Sequence, residues 1–240
     1  LTLKDVDPQA VYDEVEINKI ITLARTKGPL AFVLIAWCYE FGARTAEPGM
    51  QLLRDVDLAN GRARPLHLKG GKQQSWHYLM PFCTEALPAW LDARQIKMLE
   101  QSPYLFPSAS PGMCYTCGGT GKRAKQMRDG KRRFKGDLVP CHHCNETGKR
   151  WGLDRREVYN IVAPVLREAG MRKGSRHPHT LRHSIITHML NAGVDSQEIQ
   201  NRVGHRRLET TLSYARATES AKAEVVGKMW KVYGPSKGGQ

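Results

Sequence analysis

His179-Thr180-Leu181-Arg182-His183, followed downstream by Val203-Gly204-His205-Arg206-Arg207-Leu208-Glu209-Thr210-Thr211-Leu212-Ser213-Tyr214, is the stretch that decides the fold of this chain. Apolar residues recur at helical spacing through 179–192 and 195–203, so the histidines and Arg182 sit on or at the ends of helices. None of these residues means much alone. An arginine is usually a surface group, a tyrosine a half-buried amphipathic side chain, and a histidine a satisfied structural residue. The ordered set His-x-x-Arg, Gly-His and Thr-Thr-x-x-Tyr, with nine positions from His205 to Tyr214, is far more specific.

Working outward, Val158, Ile161, Val162, Val165 and Leu166 predict a helix over 154–168, and Val225, Val226, Met229 and Trp230 anchor another over 219–230. Towards the amino terminus, Val11, Val15, Ile20 and Leu23 predict an amphipathic helix over 8–26, with Asp7 as cap and Pro8 in its first turn. The run Leu30-Ala31-Phe32-Val33-Leu34-Ile35-Ala36-Trp37 is almost wholly apolar and ends at Gly42, as a helix through the middle of the core would. Residues 44–54 are expected to be helical, with Pro48 tolerated in the first turn. Arg64–Leu68 and Trp76–Met80 flank Lys69-Gly70-Gly71-Lys72, a hairpin with a basic tip, and a further helix is expected over 84–100. The fold class is mainly α with a small β-sheet or hairpin.

Pro103, Pro107, Pro111 and Gly112 break this pattern, and 112–150 shows little apolar periodicity. The chain therefore divides into 1–111, an inserted module at 112–150, and 151–240, where the helical core resumes. The tail Gly234–Gln240 is expected to fray. With 240 residues the chain builds one sizeable core or two small ones, and its 40% hydrophobic and 25% charged content argues against disorder. No run is long and apolar enough to cross a bilayer, so no membrane partner is expected. A net charge of +14 favours a polyanionic partner. The opening Leu1-Thr2-Leu3-Lys4-Asp5 is neither a signal nor a transit peptide and reads as an interior boundary with a domain upstream.

Within the module, Cys114-Tyr115-Thr116-Cys117 and Cys141-His142-His143-Cys144 begin two copies of Cys-x-x-Cys-x-x-Thr-Gly-Lys-Arg. Four thiolates on glycine-rich turns suit a tetrahedral structural zinc, which would also supply the folding free energy that so few apolar side chains cannot. Two disulfides, unconnected thiols or an iron–sulfur cluster are the alternatives, and His142 or His143 could replace a thiolate. Cys38 and Cys83 lie in apolar contexts and are expected in the core. Between the knuckles, Lys122, Arg123, Lys125, Arg128, Lys131, Arg132, Arg133 and Lys135 are opposed only by Asp129, a run suited to phosphates or simply to solvent. The doubled knuckle is similar, over this short stretch, to half of the zinc region of DnaJ-type chaperones, from which no function is carried over.

Outside the module, the chain resembles the catalytic domain of the tyrosine recombinase, or phage integrase, family. The resemblance places the family's first arginine and following acid at Arg44 and Glu47 in Gly42-Ala43-Arg44-Thr45-Ala46-Glu47. It places the hairpin lysine at Lys69, the His-x-x-Arg pair at His179 and Arg182, the Leu-Gly-His position at Val203-Gly204-His205, and the nucleophile at Tyr214. It implies a site-specific recombinase that needs neither ATP nor a catalytic metal. It also implies double-stranded DNA with specific sites as substrate, a homotetramer on DNA, accessory DNA-bending proteins as further candidates, and a location with bacterial cytoplasmic DNA. The 219–230 segment would pack on a neighbouring protomer, and the domain upstream would close the clamp around the duplex.

The residue types make chemical sense of that assignment. A tyrosine phenolate can attack a backbone phosphorus and store the bond as a phosphotyrosine. Arg44 and Arg182 can clamp the nonbridging oxygens, and His205 can donate to them. Lys69 can protonate the departing 5′ oxygen, with Lys72 three residues away as its rival, and His179 can assist proton transfer. Glu47 is expected to hold an arginine or His179 in place, and His183, Arg206 and Arg207 to pack or bind phosphate. A type IB topoisomerase is disfavoured by the Gly-His-x-x-x-x-Thr-Thr-x-x-Tyr arrangement. An idle DNA-binding module would predict a gap among the catalytic positions, and there is none.

Overall fold

The computed structural model describes residues 11–68, 75–96, 102–114, 117–124, 138–141, 144, 146 and 148–205. Lys69, Lys72, His142, His143, Arg206, Arg207, Tyr214, the 219–230 segment and the basic residues from Lys125 to Lys135 lie outside them.

Helix α1 (Glu14–Thr26) starts later than expected, because Asp13 and Glu16 form a capping box: the Asp13 carboxylate accepts from the Glu16 amide, and Glu16 from that of Asp13. Its buried stripe is Ile17, Ile20, Ile21 and Ala24, whereas Val15, counted in the apolar pattern, is exposed. Helix α2 (Pro29–Glu40) is buried continuously from Ala31 to Glu40, as its all-round apolar sequence requires. Around α2 pack α1, α3 (Pro81–Ile96), α4 (Arg155–Glu168) and α5 (Pro178–Asn191). The last described helix, α6 (Ser196–Val203), packs on α5 and starts at Asp195, whose carboxylate accepts from the Gln197 and Glu198 amides. Cys38 and Cys83 are fully buried in this core.

Two expectations change. Residues 44–54 form not one helix but two 3₁₀ turns, Pro48–Met50 and Leu53–Asp55. Successive three-residue bonds (Glu47 to Arg44, Met50 to Glu47, Gln51 to Pro48) close the first, where Pro48 has no amide hydrogen to give. The hairpin is also shifted. Strands β1 (Val56–Asp57), β2 (Arg62–Ala63) and β3 (His77–Tyr78) form an antiparallel sheet in that order, with Val56 opposite Ala63 and Ala63 opposite His77. Residues 64–68 are not strand, because other groups take their amides: the Asp55 carbonyl accepts from Arg64, Gln51 Oε1 from Leu66 and Glu47 Oε1 from Leu68.

The chain enters and leaves the cysteine-rich segment through β4 (Pro107–Met113) and β7 (Lys149–Gly152), which pair antiparallel with Met113 opposite Lys149. Within it, β5 (Lys122–Ala124) pairs with β6 (Leu138–Pro140). Helix α4 follows β7 through a second capping box, Asp154 with Glu157, and Glu157 also accepts from the Ser108 hydroxyl of β4. The architecture is thus mainly helical with small, unclosed sheets.

Candidate active site and cysteine centre

Three chain segments that are distant in sequence meet where α2 ends. Gly42 turns the chain with φ +55°, and a Cβ there would lie 3.0 Å from Val203 Cγ1 and 3.4 Å from Arg182 Cγ. Glycine therefore lets the end of α2 pass directly beneath α5 and α6. Arg182, on the buried face of α5, donates from Nη1 to the Gly42 carbonyl. Arg44, two residues on, is partly exposed and donates from Nη1 to Glu47 Oε1 at 2.8 Å and from Nη2 to the Gly204 carbonyl at 3.3 Å. Glu47 is buried and takes the Arg44 amide (2.8 Å) and the Leu68 amide (3.1 Å) as well. It thus joins the arginine to the segment that leads into Lys69.

Gly204 ends α6 in the left-handed conformation, and a Cβ there would fall 2.2 Å from the His67 ring. His205 then turns back into the protein, where it is buried; its amide bonds the Gln200 carbonyl (3.1 Å) and its carbonyl accepts from Gln200 Nε2 (3.0 Å). On the first turns of α5, the His179 and His183 rings meet edge to face with centroids 4.4 Å apart.

The electrostatics of this cluster favour neutral imidazoles beside fixed cations. Burial, and then the fields of Arg182 and Arg44, pull His205 down to about 3. Desolvation followed by Arg182 brings His179 to about 4, and desolvation followed by His179 and Arg182 brings His183 to about 4. Because His179 is exposed at the helix start, solvent screens the arginine field more there than at His205. Burial alone would raise Glu47, but the His67 ring, the Arg44 amide and the Arg44 charge outweigh it and hold the carboxyl at about 2. The result is an electropositive cluster of two guanidinium groups with neutral imidazoles beside them, an arrangement suited to an anionic oxygen.

Arg44, His179, Arg182 and His205 are therefore brought together, with Glu47 as the acid that holds Arg44. Lys69 and Tyr214 fall outside the described residues. Sequence reasoning passed over His67, Gln200 and Arg202. Arg202 is buried and donates to the carbonyls of Glu40 and Tyr78, both at 3.0 Å, which fastens α6 to α2 and β3. None of the three belongs to a recurring pattern; the nearest clue is that His67 precedes Lys69 by two positions.

The four module cysteines also converge. Their sulfur atoms all lie within 4.8 Å of one another, with Cys114 and Cys141 at 3.9 Å and Cys117 and Cys144 at 3.7 Å. A tetrahedron with bonds of about 2.3 Å has edges of about 3.8 Å, so the set fits a single metal ion. Disulfide sulfurs would stand about 2.05 Å apart, and none of the six cysteines is in a disulfide. The two knuckles are related by exchange. Cys114 donates its amide to Gly148 (2.8 Å) and Cys141 to Gly121 (2.9 Å), equivalent positions of the repeated motif. A Cβ at Gly121 or Gly148 would lie 2.1 Å from a carbonyl oxygen of the opposite knuckle.

The profile of the phage integrase family matches residues 11–221. Tyrosine recombinase XerD of Bifidobacterium longum is 29% identical over 194 residues, which cover 80% of this chain and 51% of that protein. Tyrosine recombinase XerC of the same species is 31% identical over 183 residues, 75% of this chain and 41% of that protein. XerA of Pyrococcus furiosus is 26% identical over 219 residues, 91% and 61% respectively. The chain thus spans about half the length of the curated relatives it matches. Among solved structures, XerA recombinase superposes with a TM-score of 0.62 at 21% identity, covering 94% of this chain and 64% of that one. XerH bound to its difH substrate superposes with 0.59 at 22% identity, covering 96% and 56%. At these identities the superpositions speak for the fold.

Proposed function

The chain belongs to the phage integrase family, and from that premise we propose that it is the strand-cleaving part of a site-specific tyrosine recombinase acting on double-stranded DNA. The observation that carries the reading is the clustering of Arg44, Arg182 and His205 where α2, α5 and α6 meet, with Glu47 and the Gly204 carbonyl holding Arg44.

In this reading the Tyr214 oxygen forms a bond to the scissile phosphorus while the bond from phosphorus to the 5′ oxygen breaks. The Tyr214 proton passes to a base, for which His179, neutral at pH 7, is suited. Arg44 and Arg182 hold the nonbridging oxygens as negative charge grows, and His205 donates a neutral N–H to the same group. Lys69 gives the proton that the leaving 5′ oxygen needs. The phosphotyrosine conserves the bond energy, and attack by the 5′ hydroxyl of a partner strand reverses each step. A homotetramer on paired sites, with the 219–230 segment joining protomers and accessory proteins bending the DNA, completes the proposal. It would work beside cytoplasmic DNA; no helix among the described residues is long and apolar enough to cross a membrane.

For the segment 112–150 we propose an inserted module in which Cys114, Cys117, Cys141 and Cys144 hold a structural zinc ion. Bound there, zinc would supply a cross-link between the knuckles. The basic run between them would then lie against DNA beside the scissile phosphate or against a neighbouring subunit.

The deciding experiment traps the covalent intermediate. Full-length protein is incubated with nicked duplexes spanning the junctions of the adjacent genomic region, and a 3′ protein–DNA adduct is sought that is absent with Tyr214→Phe. No adduct on a verified binding site would end the recombinase reading. If binding and recombination survive deletion of the module unchanged, its proposed role fails.

A further inference from the structure

His67 stands outside every motif, yet it lies between the Glu47 turn and the end of α6 at Arg202 and Gly204. Its Nε2 lies 2.9 Å from the Arg202 carbonyl oxygen, which can only accept, so this nitrogen carries the hydrogen and donates. Nδ1 is buried and has no hydrogen-bond partner among the described residues. It faces Glu47 Oε2 at 3.8 Å, beyond hydrogen-bond reach. The ring occupies the space above Gly204 that a Cβ would fill. Leu68, the next residue, gives its amide to Glu47 Oε1.

These contacts form a closed circuit. Arg44 is bonded to Glu47 and to Gly204; Glu47 faces His67; His67 is bonded to Arg202 and packs on Gly204; and Gly204 precedes His205. Displacing the ring would free the end of α6 to move relative to the 44–47 turn, and so change where His205 and Arg44 aim. The glycine of the Gly-His pair takes on a local purpose here, since only a residue without a side chain leaves room for this imidazole.

We propose that His67 is a positioning residue for strand cleavage: its imidazole, set between the Arg202 carbonyl and the Glu47 carboxylate, fixes the register of Arg44, His205 and the segment entering Lys69. This rests on the recombinase reading for its consequence in catalysis, but not for the registration itself. Misplacing by about 1 Å the residues that touch the reacting atoms can cost up to about 100-fold in rate.

The test uses the full-length protein and the duplex it retrieves from a randomised DNA pool. Two variants separate donation from packing: His67→Leu keeps bulk and loses the donor, while His67→Gln can still donate to Arg202. The expected result is that His67→Leu shifts the nuclear magnetic resonance signals of the Arg44 side chain and the His205 ring in the free protein. It also slows single-turnover adduct formation by up to about 100-fold with DNA affinity within about twofold, and His67→Gln recovers most of both. Unmoved Arg44 and His205 signals in His67→Leu would overturn the proposal, as would shifted signals with an undiminished adduct rate, or a glutamine variant no better than leucine. Should the leucine variant not fold, His67→Asn, polar but too short to reach Arg202, takes its place under the same outcomes. If the parent forms no adduct at all, the recombinase reading fails, and the resonance comparison alone decides whether His67 sets the register.

Discussion

Gly49 and Gly152 cross backbone to backbone: a Cβ on Gly152 would lie 1.7 Å from the Gly49 carbonyl oxygen, and one on Gly49 would lie 1.6 Å from that of Leu153. The contact joins the strand leaving the cysteine centre to the turn that follows Glu47. Because the obstructing atoms are main chain, neither can swing aside. Gly49→Ala and Gly152→Ala are each expected to destabilise the protein by at least about 1–3 kcal/mol, the range for forced overpacking. Gly174→Ala, which meets nothing within 4 Å and has no positive φ, should stay within about 0.5 kcal/mol. Urea denaturation of the three variants checks the contrast.

Metal analysis should return about one zinc per chain, and Cys114→Ser with Cys141→Ser should abolish it. Among the described residues, the segment around the knuckles has no apolar core of its own beyond the cysteines. A strong chelator should therefore unfold that segment and lower the melting temperature while leaving most helical circular dichroism in place, since α1 to α6 bury a separate core. Loss of all helical signal on chelation would refute this division.

Stability should fall in acid in two stages. His205 and His183 are held neutral in the fold, at about 3 and about 4, against an ordinary value of 6.5. The unfolded chain therefore binds protons first, and stability declines as pH drops from 6.5 towards those values. Glu47, at about 2 against an ordinary 4.5, contributes fully above 4.5 and loses its contribution between 4.5 and 2. That contribution is on the order of 3 kcal/mol. Denaturation midpoints measured from pH 8 to pH 2.5 should show both limbs, and Glu47→Gln should flatten the lower one.

Arg182→Lys keeps the positive charge but loses the planar fork that can bond the Gly42 carbonyl and a phosphate oxygen together. Adduct formation by this variant should fall about 100- to 1,000-fold, the usual loss on removing one donor to a developing oxyanion. DNA binding, measured separately, should change far less.

Much of this site is legible in the sequence. The all-apolar run became α2 because a helix with no polar stripe has nowhere to go but the centre. Arg44, Glu47, His179, Arg182 and His205 are picked out in the sequence by the resemblance to the recombinase family, and the fold gathers them around the end of α2. The 44–54 stretch was misread because helical periodicity does not register that Pro48 lacks a donor and that Gly49 is pressed against the 152–153 main chain. The 64–68 strand was misread because side chains, Gln51 and Glu47, satisfy amides that a ladder would otherwise take. His67, Gln200 and Arg202 escaped notice because their work is done through main-chain carbonyls, and no residue-type pattern announces which carbonyl will be near.

The pairing of Met113 with Lys149 has a consequence for how such proteins can be varied. The chain leaves the helical core and re-enters it on adjacent strands, so the core meets the intervening residues as it would meet a hairpin turn of any length. A two-residue Asn-Gly link across that ladder would close it without a gap. The position behaves as a port, at which the inserted segment can be exchanged or shortened while the β4–β7 pairing and the Gly49–Gly152 crossing are kept.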